Sequence, residues 1–334
     1  MRSTARVNVT DAVLEIRKLA VEFHSGGQWH AAVRGIDLSI AQNETLAVVG
    51  ESGSGKSMTA LSVMGFVPTP AGRIAPGSSI KLHGRELVGL PEHELDRIRG
   101  NRVAMIFQEP MTALNPTMTV GAQVAESLRV HRGFNGAQAS AEALKMLDLV
   151  KVPSAGKRMK DYPHQFSGGM RQRVMIAMAL ACHPKLLLAD EPTTALDVTI
   201  QAQVLSLIED LKTEYGLAVM FITHNLGVVA LIADRVAVMY AGEIVEAALA
   251  PDLFARPRHP YTQALLASMP RVDRDLKMLE PIQGNVPTIG NLGAGCGFAS
   301  RCTHAQVRCH RERPQLMPDG PARAVRCWLV GPQP

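Results

Sequence analysis

No apolar run in this 334-residue sequence approaches the eighteen or more residues that a membrane-spanning helix needs. The longest, Val174 to Cys182, has nine. The opening stretch MRSTARVNVTDAV has no apolar h-region of the kind a signal peptide carries. The expectation is a soluble chain that stays in the cytosol. Internal repeats are also missing, so one functional site is expected rather than two. Acidic residues are scarce only at one end. Residues 256–334 carry 11 Lys and Arg against 5 Asp and Glu, whereas residues 1–255 carry 24 against 25. Four of the five cysteines (Cys296, Cys302, Cys309, Cys327) also fall in that last quarter, where Gly, Pro and Arg replace apolar, helix-forming text. The shift predicts a domain boundary near residue 255.

What is present begins with GESGSGKS, Gly50 to Ser57, which fits G-x-x-x-x-G-K-[ST]. It lies between ETLAVVG, read as a buried strand, and SMTALSVMGF, read as a helix, the context this phosphate-binding loop requires. Glycines at Gly50, Gly53 and Gly55 let backbone N–H groups converge on phosphate oxygens. Glu51, Ser52 and Ser54 complete the loop. Lys56 reaches the β- and γ-phosphates, Ser57 ligates Mg²⁺, and Met58 and Thr59 follow in the first helical turn. The competing reading is a flexible Gly/Ser turn, which the strand–loop–helix context disfavours.

A second informative run, YPHQFSGGMRQRVMIAMALACHPKLLLADEPTTALD (Tyr162 to Asp197), sets a glycine-rich helix start about twenty residues ahead of a strand ending in Asp190-Glu191. Such a helix start presents N–H groups to an anion. The carboxylates suit a metal-bound phosphate and an attacking water, with Asp190 on Mg²⁺ and Glu191 orienting or deprotonating the water. A solvated carboxylate pair is the bland alternative.

Elsewhere, VLEIRKLAVEF, AAVRGIDLSI and TLAVVG within residues 13–50 alternate as a small antiparallel sheet should. Residues 120–150 are helix-like. LLLAD (186–190), AVMFITH (218–224) and RVAVMYAGEIVEAA (235–248) read as strands around a helix at QAQVLSLIEDLKTEYG. Alternating strands and helices predict an α/β fold with a largely parallel sheet.

In this order the motifs resemble the nucleotide-binding domain of ABC transporters over about three quarters of the chain. GESGSGKS stands as Walker A, LLLADE as Walker B and FSGGMRQR as the ABC signature. Gln108 in IFQEP matches the Q-loop, Ala195-Leu196-Asp197 the D-loop, and His224 in FITHN the switch histidine. The resemblance implies a P-loop NTPase domain at 11–255, with a RecA-like core, an antiparallel β subdomain and a helical subdomain at about 110–185. A tail at 1–10 would precede it and a Cys-rich extension at 256–334 would follow. It also implies that His224 touches the γ-phosphate rather than filling a core, and that Gln108 touches Mg²⁺ or the water. An aromatic should stack on adenine: Phe23, with Trp29 and His30 as neighbouring candidates.

In the family, Ser167, Gly168 and Gly169 close on ATP held by a partner domain, so one signature and one P-loop imply a dimer. Met170 stands where most signatures have glutamine. With QEPMTALNP (108–116) and RHPYTQALL (258–266), this is similar to the D-type ATPase of dipeptide and oligopeptide importers, with nickel importers in the same lineage. That implies an F-type ATPase as heterodimer partner, two transmembrane permeases, and an extracytoplasmic solute-binding protein reached through them. The place implied is the cytoplasmic face of the inner membrane.

The cysteine spacing C-x5-C-x6-C-x17-C lacks the close pairs of structural zinc and fits neither common ferredoxin pattern, so chemistry alone leaves a four-thiolate metal site possible. The resemblance implies a [4Fe–4S] cluster on Cys296, Cys302, Cys309 and Cys327, with zinc or free thiols as alternatives. Cys182 reads as a small buried hydrophobe. A repair or translation ATPase with a nucleic-acid-binding tail is the rival class. The 111 residues from Lys56 to Ser167 hold no coiled coil and the chain has one nucleotide domain, so no nucleic acid is expected.

Overall fold

A computed structural model describes residues 12–109, 113–193, 198–269, 282–290 and 292–330. The proposed 1–10 tail and Asp197 lie outside the described residues. In chain order the strands are β1 (Ala12–Ser25), β2 (Gln28–Ala41), β3 (Thr45–Val49), β4 (Gly72–Ile74), β5 (Ser79–Leu82) and β6 (Arg85–Glu86). There follow β7 (Val103–Ile106), β8 (Leu186–Asp190), β9 (Ala218–Thr223), β10 (Arg235–Tyr240), β11 (Glu243–Leu249), β12 (Met317–Pro318) and β13 (Ala324–Val325). Two compact units result: residues 1–88 with 222–334, and residues 89–221. Among the described residues no helix is long and apolar enough to cross a membrane.

In the first unit β1 and β2 form a long antiparallel hairpin, turned by Gly26 and Gly27 at φ 59° and 79°. Leu14 and Ile16 face the core. A bulge between Ile16 and Leu19, with Lys18 at φ 48°, shifts the alternation so that Leu19 and Val21 return to the same buried role. β4 and β5 pair with the other edge of β1, and β6 follows β5. The segment TLAVV does not join this sheet, contrary to the sequence reading. As β3 it is buried at all five positions and runs parallel to β10. A strand covered on both faces reads as a continuous apolar run, not as an alternation.

A second sheet in this unit has the order β12-β13-β11-β10-β3. β10 and β11 are antiparallel around Ala241 and Gly242, and β13 pairs with β11. Behind it Tyr240, Tyr261 and Phe298 meet edge to face, with Tyr240 4.6 Å from Tyr261 and 5.3 Å from Phe298. C-terminal residues therefore help build this core.

In the second unit β7 and β8 are parallel, with β9 beyond β8. The helix-like stretch 120–150 is two helices, Val120–Arg132 and Gly136–Leu149. Gly133 ends the first in a left-handed turn, and Asn135 starts the second with a capping box to Gln138. Helix Gly168–Leu180 places most of its residues in the core, and a further helix spans Val198–Tyr215.

Candidate functional site

The loop from Gly50 to Ser57 belongs to the first unit and leaves β3 at Gly50. Its φ is 154°, and a Cβ there would lie 2.2 Å from the Met239 carbonyl oxygen, so only glycine fits. Gly55, at φ 100°, would bring a Cβ to 3.0 Å from the Ala32 oxygen. Between them the chain curls around Lys56. Its Nζ donates to the Gly50 oxygen at 2.8 Å and the Glu51 oxygen at 2.9 Å, and lies 3.5 Å from Ser54 Oγ. Lys56 is only 6% exposed. It opens the helix Lys56–Val63, which has no acidic residue in its first turn and no side-chain cap. A buried ammonium at an uncapped helix N-terminus is a receptor for anions. Ser52 and Gly53 are exposed, Ser57 and Met58 half-buried, and buried Thr59 donates its hydroxyl to the Gly55 oxygen at 3.0 Å.

Two residues missed by the sequence reading hold this loop. Tyr261 Oη accepts from the Glu51 N–H at 2.9 Å, and the Arg301 guanidinium grips the Glu51 carboxylate at 2.6 and 3.1 Å. In the sequence Tyr261 stands out only within RHPYTQALL, and Arg301 only among the basic residues of 256–334.

His224 is exposed, just after β9 and ahead of helix Leu226–Ile232. Asn225 caps that helix, its Oδ1 accepting from the N–H groups of Gly227 and Val228. The core-histidine alternative therefore fails. Phe23 pairs with His30 across β2 and Gly72 across β4, and a Cβ on Gly72 would lie 2.8 Å from its ring. Trp29 instead takes the Arg73 guanidinium at 4.0 Å.

In the second unit Asp190 ends β8 with 5% exposure, and Glu191 follows at φ 47°. A left-handed conformation in a residue with a full side chain costs roughly 1–3 kcal/mol and collects at functional sites. Gln108 Nε2 donates to Glu191 Oε2 at 3.2 Å, so the structure brings these two together. Ser167 caps helix Gly168–Leu180, its Oγ accepting from the Met170 N–H at 3.4 Å. Ser167 and Gly168 are exposed, and nothing lies within 4 Å of a Cβ built on Gly168. Gly169 and Met170 are half-buried. Arg171 donates to the Pro163 oxygen and Arg173 to the Val150 oxygen, each at 2.7 Å, fixing the helix from its flanks.

The iron–sulfur expectation is corrected. Cys296, Cys302, Cys309 and Cys327 do line one cavity, with Phe298 and His259. Its volume is about 10 Å³, roughly the space a single water needs. Among the described residues no group of three or more His, Cys, Asp or Glu is placed to hold a metal ion. Burial pushes the Cys296 thiol up to about 11 and raises Cys302 and Cys327 as well. These residues do not fit the group. Cys182 is buried, as read, with its Sγ 3.4 Å from the Ser127 oxygen.

Residues 33–194 match the family described as ABC transporter, and residues 245–309 match the oligopeptide/dipeptide transporter C-terminal region. The chain is 50% identical over 317 residues to the oligopeptide transport ATP-binding protein AppD of Bacillus subtilis, covering 95% of this chain and 96% of the relative. It is 50% identical over 318 residues to OppD of Salmonella typhimurium, covering 95% and 94%. To the dipeptide transport ATP-binding protein DppD of Bacillus subtilis it is 48% identical over 319 residues, covering 96% and 95%. Among solved structures, the dimeric post-hydrolysis state of the ATP-binding cassette MJ0796 bound to ADP and Pi aligns at a TM-score of 0.64. That match has 28% identity and covers 71% of this chain and 98% of the other.

Proposed function

The chain belongs to the ABC transporter family, in its oligopeptide/dipeptide branch, and from that premise we infer that it hydrolyses ATP to power peptide import. The relatives named above move oligopeptides and dipeptides, which favours peptides over nickel as the cargo. Functionally, we assign residues 11–255 to the nucleotide-binding domain and 256–334 to an extension of the oligopeptide-importer type.

We assign each residue the role that its chemistry and the family resemblance imply. Gly50 to Thr59 bind the phosphates, with Lys56 carrying the charge that meets the β- and γ-oxygens. Asp190, Ser57 and Gln108 present hard oxygen atoms, the donor type that suits Mg²⁺. When bound, that ion neutralises charge on the transferring phosphoryl group. Glu191 accepts the proton of the attacking water, Gln108 orients the Glu191 carboxylate, and His224 contacts the γ-phosphate. Phe23 stacks on the adenine.

Ser167, Gly168, Gly169 and Met170 offer an exposed helix start to the ATP of a second ATPase subunit, and Asp197 belongs to the same contact. That subunit is an F-type relative, which makes the motor a heterodimer. The dimeric state of the MJ0796 cassette supports pairing of such domains. The pair works beneath two permeases at the cytoplasmic face, fed by a solute-binding protein outside.

The observation that carries the hydrolytic reading is Glu191, held at positive φ directly after a buried strand and in reach of Gln108. Glu191→Gln keeps the shape and removes the base. Turnover of ATP should drop about 10²- to 10⁴-fold while nucleotide binding persists, measured by phosphate release and by equilibrium binding of labelled ATP. Normal phosphate release from this variant would reject the assignment.

A further inference from the structure

We infer that Arg301 is a positioning residue for the nucleotide site: it neutralises and fixes Glu51, the second residue of the phosphate-binding loop, through which Lys56 is aligned. The inference rests on the ATP reading above and adds to it a part played by the C-terminal segment.

A carboxylate in a loop built for polyphosphate is an electrostatic liability, since it repels the ligand and competes for the lysine. Glu51 is such a carboxylate, and the structure spends a whole guanidinium on it. Arg301 Nη1 lies 2.6 Å from Glu51 Oε2 and Nη2 lies 3.1 Å from Oε1, a two-pronged pair with both oxygens taken. The Arg301 side chain is 5% exposed and that of Glu51 26%, so the pair is largely shielded from solvent. The remaining Arg301 donors are also engaged. Nε donates to the Gln283 oxygen at 2.8 Å, Nη2 to the Ile282 oxygen at 3.1 Å, and Nη1 to Tyr240 Oη at 3.3 Å. A guanidinium fixed at every edge holds its partner in one orientation, which a lysine ammonium could not do.

Glu51 is held from three directions. Its carboxylate belongs to Arg301, its N–H donates to Tyr261 Oη at 2.9 Å, and its carbonyl oxygen accepts from Lys56 Nζ at 2.9 Å. The first two holds come from the C-terminal segment and the third is the nucleotide lysine itself. Loss of Arg301 would therefore leave an unpaired negative charge beside the phosphates and loosen the peptide that seats Lys56. If Arg301 merely anchored its own segment, the charge at Glu51 would be irrelevant to ATP.

The full-length chain with Arg301→Ala, alone and combined with Glu51→Gln, separates these cases. Affinity for a non-hydrolysable ATP analogue with Mg²⁺ and the split between KM and kcat are read out, with circular dichroism as the check on folding. Arg301→Ala should weaken binding at least tenfold and raise KM more than it lowers kcat. Adding Glu51→Gln should restore most of that loss, because the repelling charge is gone. If Arg301→Ala folds poorly, Arg301→Lys replaces it, with an expected loss of about threefold that Glu51→Gln must likewise relieve. Unchanged binding in the folded single variant, or a double variant as weak as the single, would overturn the inference. Failure of the unaltered chain to bind the analogue would instead count against the ATP reading.

Discussion

His259 shows how far burial can set the chemistry of one side chain in this protein. It is 1% exposed, its Nδ1 accepts from the Tyr261 backbone N–H at 3.0 Å, and its backbone N–H donates to the buried Glu246 carboxylate at 2.9 Å. Burial holds its pKa down to about 4, against an ordinary value of 6.5. The folded value lies below the unfolded one, so the unfolded chain takes up the proton first as pH falls. Stability from this residue is complete above pH 6.5 and is lost progressively down to about pH 4. Between pH 7 and pH 5 the loss should be about 2 kcal/mol. Urea midpoints at the two pH values measure it, and His259→Gln should flatten the difference by that amount. An undiminished pH dependence in the variant would reject the assignment. At this scale the sequence is legible where chemistry demands fixed spacing, as from Gly50 to Ser57. It is silent where the demand is met from far away. Nothing near Glu51 in sequence announces Arg301, which stands 250 positions on. Nor does Asp190-Glu191 disclose that Glu191 adopts a strained backbone.

Among the elements, the helix Gly168–Leu180 depends on one capping side chain. Ser167 Oγ accepts from the Met170 N–H at 3.4 Å. Ser167→Ala should cost about 1 kcal/mol in stability, seen as a lower denaturation midpoint. Ser167→Asp, which restores an acceptor, should recover it while adding a negative charge where the partner's phosphates are expected. The two variants thus separate capping from ligand contact: a chain with Asp that is stable yet deficient in ATP-driven pairing supports both roles of the residue. The start of this helix was readable because a cap followed by two glycines is a local signal. The two helices at 120–149 ran together in the sequence because both are amphipathic, and only Gly133 and Asn135 mark the break. TLAVV was grouped with the wrong strands for a related reason. A five-residue apolar run states that it is buried, not which neighbour it pairs with.

For the whole molecule, the segment beyond the change of texture near residue 255 contributes side chains to the core of the first unit. Tyr261 is fully buried against Tyr240, Phe298 closes the same cluster, and β13 extends the sheet beyond β11. Several of the surplus cations also work inward. Arg326 Nε donates to the Ile244 oxygen at 2.9 Å, and Arg323 lies 3.7 Å from the buried Glu246. Composition registers what a segment is made of, whereas its integration depends on long-range partners that composition does not carry. A chain ending at residue 255 would lose Tyr261 and Phe298 from its core, about 1.5–3 kcal/mol each. Against a total stability of about 5–15 kcal/mol, a loss of 3–6 kcal/mol is severe. The midpoint of thermal unfolding should fall by roughly 6–24 °C, with Tyr240 newly accessible to solvent and its fluorescence quenchable. Tyr261 and Arg301 leave with the same cut, so nucleotide affinity should fall beyond what lost stability explains, even at temperatures where the shortened chain remains folded. A truncated chain that melts and binds like the full one would show that the C-terminal segment is an appendage rather than part of the nucleotide-binding core.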